Sequence, residues 1–401
     1  MGKKLLQINA TANWGSTGRI AEQINLLAME HGWDCYIAYG RNCNPSRSKL
    51  IRVGGKLNPY IHFAKQYLLD SEGLNSNYAT KQLIKKIQTM NPDIIHLHNI
   101  HDHWLNYRIL FEYLNNTNIK IVWTFHDCWA FTGGCAHFTS LKCNKWQEEC
   151  KNCPMKKCVD NSQNNFKLKR DIFTSNPNLT IVPVSKWLEK NIKNSFFNKN
   201  RIIHISNGVD IDAFHPIDIK KKVIKSYKID DKFLLVGLAT AWSVQKGLND
   251  YIELAEHLNE DYVVMLVGLK KNQVPILPKN VIAIERISDI KELVELYSTA
   301  DIVLNLSYQE TFGLTTIEGF ACGTPGIVYN KTASPELIEG DIGYVVEAGN
   351  IEQLLSAIEV IKNKGKEYYS NNCRQRAVEF YDKNKCFEKY INLYNELLNE
   401  I

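Results

Sequence analysis

Short, mostly apolar runs alternate along the chain with longer stretches whose apolar residues recur at three- and four-residue spacing. The first pattern reads as buried strands and the second as amphipathic helices. In the first half the strands are expected at 4–10, 34–40, 93–99, 119–127 and 179–185. In the second half they are expected at 232–239, 262–268, 280–285, 301–307 and 325–330, with helical patterns such as 248–258 and 290–300 between them. Phe387, Tyr390, Ile391, Tyr394, Leu397, Leu398 and Ile401 share one helical face. The alternation predicts parallel sheets covered on both sides. The segment 204–216 is irregular, rich in Asn, Asp and Gly, and closed by Pro216, so it reads as a crossing between domains. The expectation is two doubly wound, Rossmann-like α/β domains, 1–210 and 211–385, and a last helix, 386–401, packing back on the first. Ligands of open parallel sheets sit beyond the carboxyl ends of the strands, which makes the cleft between two such domains the natural site.

Composition narrows this picture. A chain of 401 residues with 44% hydrophobic and 23% charged residues can bury two cores. The net charge of +5 favours anionic ligands or an anionic membrane surface and is too small to indicate nucleic acid. No apolar run approaches the ~18 residues of a membrane-spanning helix. The opening "MGKKLLQINA" reads as a first strand rather than a signal peptide, so a cytoplasmic protein is expected. The eleven cysteines are then free thiols or metal ligands more than disulfides.

The stretch "QETFGLTTIEGFACGTP", Gln309 to Pro325, carries the most chemistry. Glu310 falls in a loop after a buried strand, and Glu318 falls within a short helix that Gly323 and Pro325 end. Gly313, Leu314, Thr315 and Thr316 offer backbone N–H groups at that helix's start, where an anion such as a diphosphate fits. Ionised carboxylates on either side suit sugar and ribose hydroxyls. From spacing alone, a solvated loop glutamate and a helix-surface charge explain the pair equally well.

The stretch "SYQETFGLTTIEGFACGTPGIV" resembles the E-x7-E signature of family 4 glycosyltransferases, retaining enzymes of the GT-B fold. "PDIIHLHNIH", "WTFHDCWAFTGGC", "VPVSKWL", "SNGVDIDAFHP" and "QKGLNDYIELA" resemble further blocks of that family in the right order, across nearly the whole chain. The likeness is greatest to the branch found in exopolysaccharide, capsule and colanic-acid gene clusters. The resemblance implies a hexosyl transfer, with retention, from a UDP- or GDP-linked sugar to a glycan or polyprenyl-diphosphate-linked acceptor, without a required cofactor. It implies that Glu318 holds the ribose and that Glu310 lies near the donor sugar. Gly313, Leu314 and Thr315 would contact the sugar or diphosphate, and Lys246 would oppose the diphosphate charge. It also puts His126 against the sugar, with Asp127, His98 and His101 toward the acceptor. A lone His-Asp is equally a structural cap, and His96 is equally a buried core residue. Gly15 and Gly18 fit a turn whose amides approach the ligand, although the stretch is not G-x-G-x-x-G and a plain strand-to-helix turn explains it too. The chain departs from the family where arginines are usual: Thr240 and Gln245 stand there, and Arg286 or Lys270 are the nearest candidates to replace them. Hence the alternative of a sugar-nucleotide-binding partner with weak or lost catalysis.

Two segments lie outside this chemistry. Cys135, Cys143, Cys150 and Cys153, followed by Cys158, stand in a stretch (135–158) too poor in apolar residues to build a core. A structural zinc would staple it, with His137 as a spare ligand; reduced thiols or disulfides are the other readings. A zinc-containing nucleic-acid module would rest on these cysteines alone, and no basic stripe accompanies them. Residues 56–92 carry Lys56, Lys65, Lys81, Lys85 and Lys86 beside Tyr60, Phe63, Tyr67 and Leu68. They form either a solvated helix face or a surface in peripheral contact with the inner membrane.

Overall fold

The computed structural model describes residues 2–156, 159–219, 226–227, 229, 232–270, 273 and 277–400, so Cys158 and Ile401 lie outside the described residues. The chain divides into two compact units, Met1–Ser206 with Phe387–Ile401, and Asn207–Cys386.

Among the described residues of the first unit, seven strands form one sheet: β1 (Lys4–Ile8), β2 (Asp34–Tyr39), β3 (Lys49–Arg52), β4 (Ile94–Leu97), β5 (Lys120–Phe125), β6 (Leu179–Pro183) and β7 (Arg201–Ile202). Their order is β3-β2-β1-β4-β5-β6-β7, and every pairing is parallel. The central strands are buried almost throughout, as near-continuous apolar runs must be when helices cover both faces. The strand order reverses between β1 and β4, which opens a crevice beyond their carboxyl ends. The last helix, Lys383–Asn399, reaches this unit through Tyr390 and Tyr394, both buried. The Tyr394 hydroxyl bonds His96 Nδ1 at 2.6 Å, and the Trp33 ring lies 5.7 Å from the Tyr394 ring.

The second unit repeats the plan. Its described strands are β8 (Phe233–Leu238), β9 (Tyr262–Val267), β10 (Val281–Ile284), β11 (Ile302–Asn305), β12 (Gly326–Tyr329) and β13 (Gly343–Val346), in the parallel order β10-β9-β8-β11-β12-β13. Here the order reverses between β8 and β11. The ten strands expected from the sequence all form, each trimmed by one to three residues. The sequence pattern missed β3, β7 and β13. β3 is a largely exposed edge strand, β13 a half-buried edge strand of four residues, and β7 is two residues long, so none shows a sustained buried run. Among the described residues no helix is long and apolar enough to cross a membrane.

Candidate active site

In the second unit the loops after β8 and β11 meet at the strand-order reversal. A backbone bond from Tyr308 N–H to Gln245 O, 2.9 Å, ties one loop to the other. Lys246 ends a 3-10 turn (Val244–Lys246), and its Nζ donates to Glu310 Oε2 at 2.7 Å. Both side chains are partly exposed, so the pair is accessible to a ligand. Glu310 is fixed by its backbone: its N–H donates to Thr332 Oγ1 at 2.8 Å, and its carbonyl accepts from the same hydroxyl at 2.7 Å. The helix Leu314–Ala321 starts directly beyond, with Leu314 and Thr315 in its first turn. Gly313, at φ +101°, is the residue that turns the chain into it. Asn305, buried at the end of β11, donates to Thr316 Oγ1 at 3.2 Å and pins that turn to the sheet. Glu318 lies one turn in and accepts from the Tyr297 hydroxyl at 2.9 Å. The carboxylates of Glu310 and Glu318 thus attach to different parts of one loop-and-helix start.

Gly247 follows Lys246 at φ +74° and opens the helix Leu248–His257. A Cβ there would lie 2.1 Å from the Leu306 carbonyl oxygen. Gly247→Ala therefore forces the two loops apart. We expect it to cost about 2 kcal/mol or more in thermal unfolding, combining a strained φ with a backbone clash, and to displace Lys246.

Arg286 is exposed just after β10, two strands from β8, and Lys270 is exposed just after β9. The cation that bonds Glu310 is Lys246. Thr240 and Gln245 are both exposed at the arginine-usual places.

In the first unit the segments beyond the carboxyl ends of β4 and β5 carry the expected histidines. His98 Nδ1 and His126 Nε2 are 3.0 Å apart, and His98 Nε2 is 2.6 Å from Gln7 Oε1. The Gln7 amide nitrogen faces the Ala21 carbonyl oxygen at 2.6 Å, which can only accept, so Gln7 Oε1 must accept from His98 Nε2–H. Burial holds the His98 ring well below its ordinary pKa, so Nδ1 carries no proton and accepts from His126 Nε2–H. Burial likewise lowers His126 to about 4. His126 is therefore a neutral imidazole with Nδ1 as its acceptor. His101 differs. Burial disfavours its charge, but the carboxylates of Asp127, 2.8 Å from Nε2, and Asp102, 3.2 Å from Nδ1, hold its pKa up at about 10. Asp127 also accepts from Trp129 N–H at 2.8 Å; against its burial, the charge and hydrogen bond of His101 bring it down to about 2. His96 is a core residue, held by Tyr394 and by Thr124 Oγ1 at 2.7 Å.

Gly15 begins the helix Gly15–Glu30 at φ +67° and is exposed beyond β1. Gly18 is buried a turn further in, where its own carbonyl accepts from Asn13 N–H at 3.1 Å. A Cβ on it would lie 2.6 Å from Thr11 Oγ1, so close packing on the preceding loop explains that glycine.

The four cysteines 135, 143, 150 and 153 line one cavity of about 120 Å3, with Trp146 and Phe138. The Cys135 thiol donates to the His137 carbonyl at 2.9 Å, and Cys150 Sγ accepts from Gly133 N–H at 3.3 Å. Among the described residues no three His, Cys, Asp or Glu side chains are arranged to hold a metal ion. The four thiols are gathered around one cavity, and the fifth cysteine of the run, Cys158, lies outside the described residues.

Sequence reasoning missed Gln7, Tyr297 and Thr332, which orient His98, Glu318 and Glu310. Gln7 alone left a signal, a polar residue in the middle of the apolar run "KLLQINA".

Residues 19–213 match the family model "Glycosyltransferase Family 4", and residues 219–379 match "Glycosyl transferases group 1". The chain belongs to this family of glycosyltransferases. It is 23% identical over 424 aligned positions to the "Putative colanic acid biosynthesis glycosyl transferase WcaC" of Escherichia coli (strain K12), covering 98% of this chain and 100% of that one. In fold it resembles the sucrose-phosphate synthase of Thermosynechococcus elongatus, at TM-score 0.77 and 16% identity over the whole of both chains. It also resembles Anabaena HepE in complex with UDP, at TM-score 0.68 and 14% identity, covering 98% of this glycosyltransferase and 100% of HepE. The two sheets of this glycosyltransferase are thus the two Rossmann-like halves of the GT-B fold.

Proposed function

We propose that this glycosyltransferase moves a hexosyl group, with retention, from a nucleoside diphosphate sugar to a hydroxyl of a glycan or lipid-linked acceptor in cell-surface polysaccharide synthesis. The observation that carries the proposal is the joined loop pair of the second unit. It sets a cation (Lys246), a carboxylate (Glu310), a helix start (Gly313 to Thr315) and a second carboxylate (Glu318) beyond β8 and β11. A sugar nucleotide needs the same groups in that sequence. The helix start and Lys246 oppose the diphosphate charge. Glu318 accepts from ribose hydroxyls, with its other face held by Tyr297. Glu310 stands where positive charge develops at the anomeric carbon. The anomeric carbon–phosphate oxygen bond breaks, the bond to the acceptor oxygen forms on the same face, and the acceptor proton leaves with the diphosphate. In the first unit the neutral His126 would bond sugar hydroxyls, with His98, His101 and Asp127 serving the acceptor side. The colanic acid relative supports the polysaccharide setting, and the UDP held by HepE favours a uridine donor.

Thermal unfolding with UDP, GDP, ADP and CMP tests this. UDP at about 100-fold its Kd is expected to add about 2.7 kcal/mol to the wild type and far less to Glu318→Ala. No shift with any of these nucleotides would overturn the reading. The neutral Thr240 and Gln245 favour one competing reading, a sugar-nucleotide-binding partner with little transfer. Nucleotide stabilisation without donor hydrolysis or transfer would select it. Within the same proposal the cysteine cavity serves structure. One zinc per chain, lost in Cys150→Ser, supports the staple, and four titratable thiols without metal sink it.

A further inference from the structure

The helix Asn58–Leu69 has His62 as its buried side chain. His62 Nδ1 bonds Ser76 Oγ at 2.8 Å, and its ring lies 5.7 Å from that of His103. Asn58 Nδ2 donates to the same Ser76 hydroxyl at 3.0 Å, and Gln66 Oε1 bonds His103 Nδ1 at 2.8 Å. These contacts fasten one side of the helix. At 100° per residue, Phe63, Tyr67, Tyr60, Ala64, Leu68 and Ile61 fill an arc of roughly 160° on the other side. That arc is open to solvent: Tyr60 is 73% exposed, Tyr67 80% and Leu68 66%. A soluble helix normally turns such a face inward; an unburied apolar arc of this size marks a docking surface.

The charges around it are of one sign. Between residues 56 and 92 the chain holds five lysines and two carboxylates, Asp70 and Glu72. Both carboxylates are engaged with the protein: Asp70 is buried on Lys156 and Asn161 N–H, and Glu72 accepts from Trp129 Nε1–H at 2.6 Å. Lys56, Lys65, Lys81, Lys85 and Lys86 are all exposed. Ser76 immediately precedes the next helix, Asn77–Met90, so the bonds from Asn58 and His62 tie that helix start to the helix of the apolar arc. There Tyr78, 77% exposed, shares a face with Lys81 and Lys85.

We propose that this face lies on an anionic lipid bilayer, with Phe63, Tyr67 and Leu68 entering the headgroup–acyl boundary and the lysines facing lipid phosphates. Apolar side chains flanked by cations, with no free carboxylate between residues 56 and 92 and with the nearby Asp102 paired to Arg41, match an anionic interface. A second copy of this chain docked through the same face would set lysines against lysines, so the one-sided charge disfavours self-association. The surface belongs to the first unit and the loop pair that the functional proposal uses belongs to the second, so it stands or falls independently of sugar transfer.

Full-length protein is sedimented with vesicles of phosphatidylcholine alone and with one-third phosphatidylglycerol. Binding is expected with the anionic vesicles and to weaken with salt. Tyr67→Ser/Leu68→Ser should lower the partition coefficient at least tenfold, and Lys81→Gln/Lys85→Gln about fivefold per lysine. Because these side chains are exposed, circular dichroism should be unchanged. Absence of wild-type binding, or binding indifferent to both variants, overturns the proposal. So does a concentration-dependent dimer that Tyr67→Ser/Leu68→Ser dissociates while vesicle binding is absent.

Discussion

Lys246→Ala is expected to lower the transfer rate by about 10²–10³-fold, the usual cost of removing one group that stabilises developing charge. Fold stability should change by less than about 1 kcal/mol, because an exposed or half-exposed ion pair contributes little. Lys246 Nζ sits 2.7 Å from Glu310 Oε2, with the two side chains 36% and 20% exposed. The pair therefore holds the cation in place before a donor arrives, and a diphosphate can draw on the same ammonium. The companion Glu310→Gln separates binding from chemistry. It removes the carboxylate that competes for Lys246, so UDP should bind as tightly or more tightly. On the proposed reading it also removes the negative charge that faces the anomeric carbon, so kcat should fall by a comparable factor. Steady-state kinetics and UDP titration on both variants check this. A Lys246→Ala protein that keeps kcat/KM within about tenfold would show that the diphosphate charge is opposed elsewhere, with Arg286 and Lys270 the first to replace.

The sequence is legible where the physics is local. Buried parallel strands must be apolar along their whole length, so ten strands stand out by composition. Edge strands such as Lys49–Arg52 need not be apolar, and they vanish into the loops. Glu310 and Glu318 are legible because a strand, a loop and a helix start follow one another without a break. Lys246 is a different case. It is separated from Glu310 by 63 intervening residues and meets it because β8 and β11 pair at the strand-order reversal. Periodicity carries no trace of such a contact; the resemblance to a family supplied Lys246, and the structure supplied its bond to Glu310. The orienting residues are harder still. Thr332 and Tyr297 act through one hydroxyl each, and a hydroxyl in a loop or on a helix is compatible with almost any surrounding. The opposite protonation states of His126 and His101 depend on which groups each ring meets, and that is set by the pairing of β4 with β5.

Asp127→Asn tests that last point, and we expect it to destabilise the protein by about 3 kcal/mol near neutral pH, the cost of taking one partner from a largely buried ion pair. The introduced amide would keep an acceptor for Trp129 N–H and nearly the same volume, so the loss reports charge rather than packing. The pH dependence follows from the two displaced groups. Asp127 is held down at about 2, below its unfolded value near 3.9, so its contribution is present above that value and fades as pH falls through about 2. His101 is held up at about 10, above an unfolded value near 6.5, so its contribution is complete below that value and is lost as pH rises through about 10. The deficit of the variant should therefore be largest between about pH 4 and 6.5 and shrink toward both extremes. Chemical denaturation across pH measures it. A deficit that stays constant with pH would mean that the packing around Trp129, not the ion pair, bears the cost. His101 would then be a neutral ring like His98 and His126, and the acceptor side would carry no fixed positive charge.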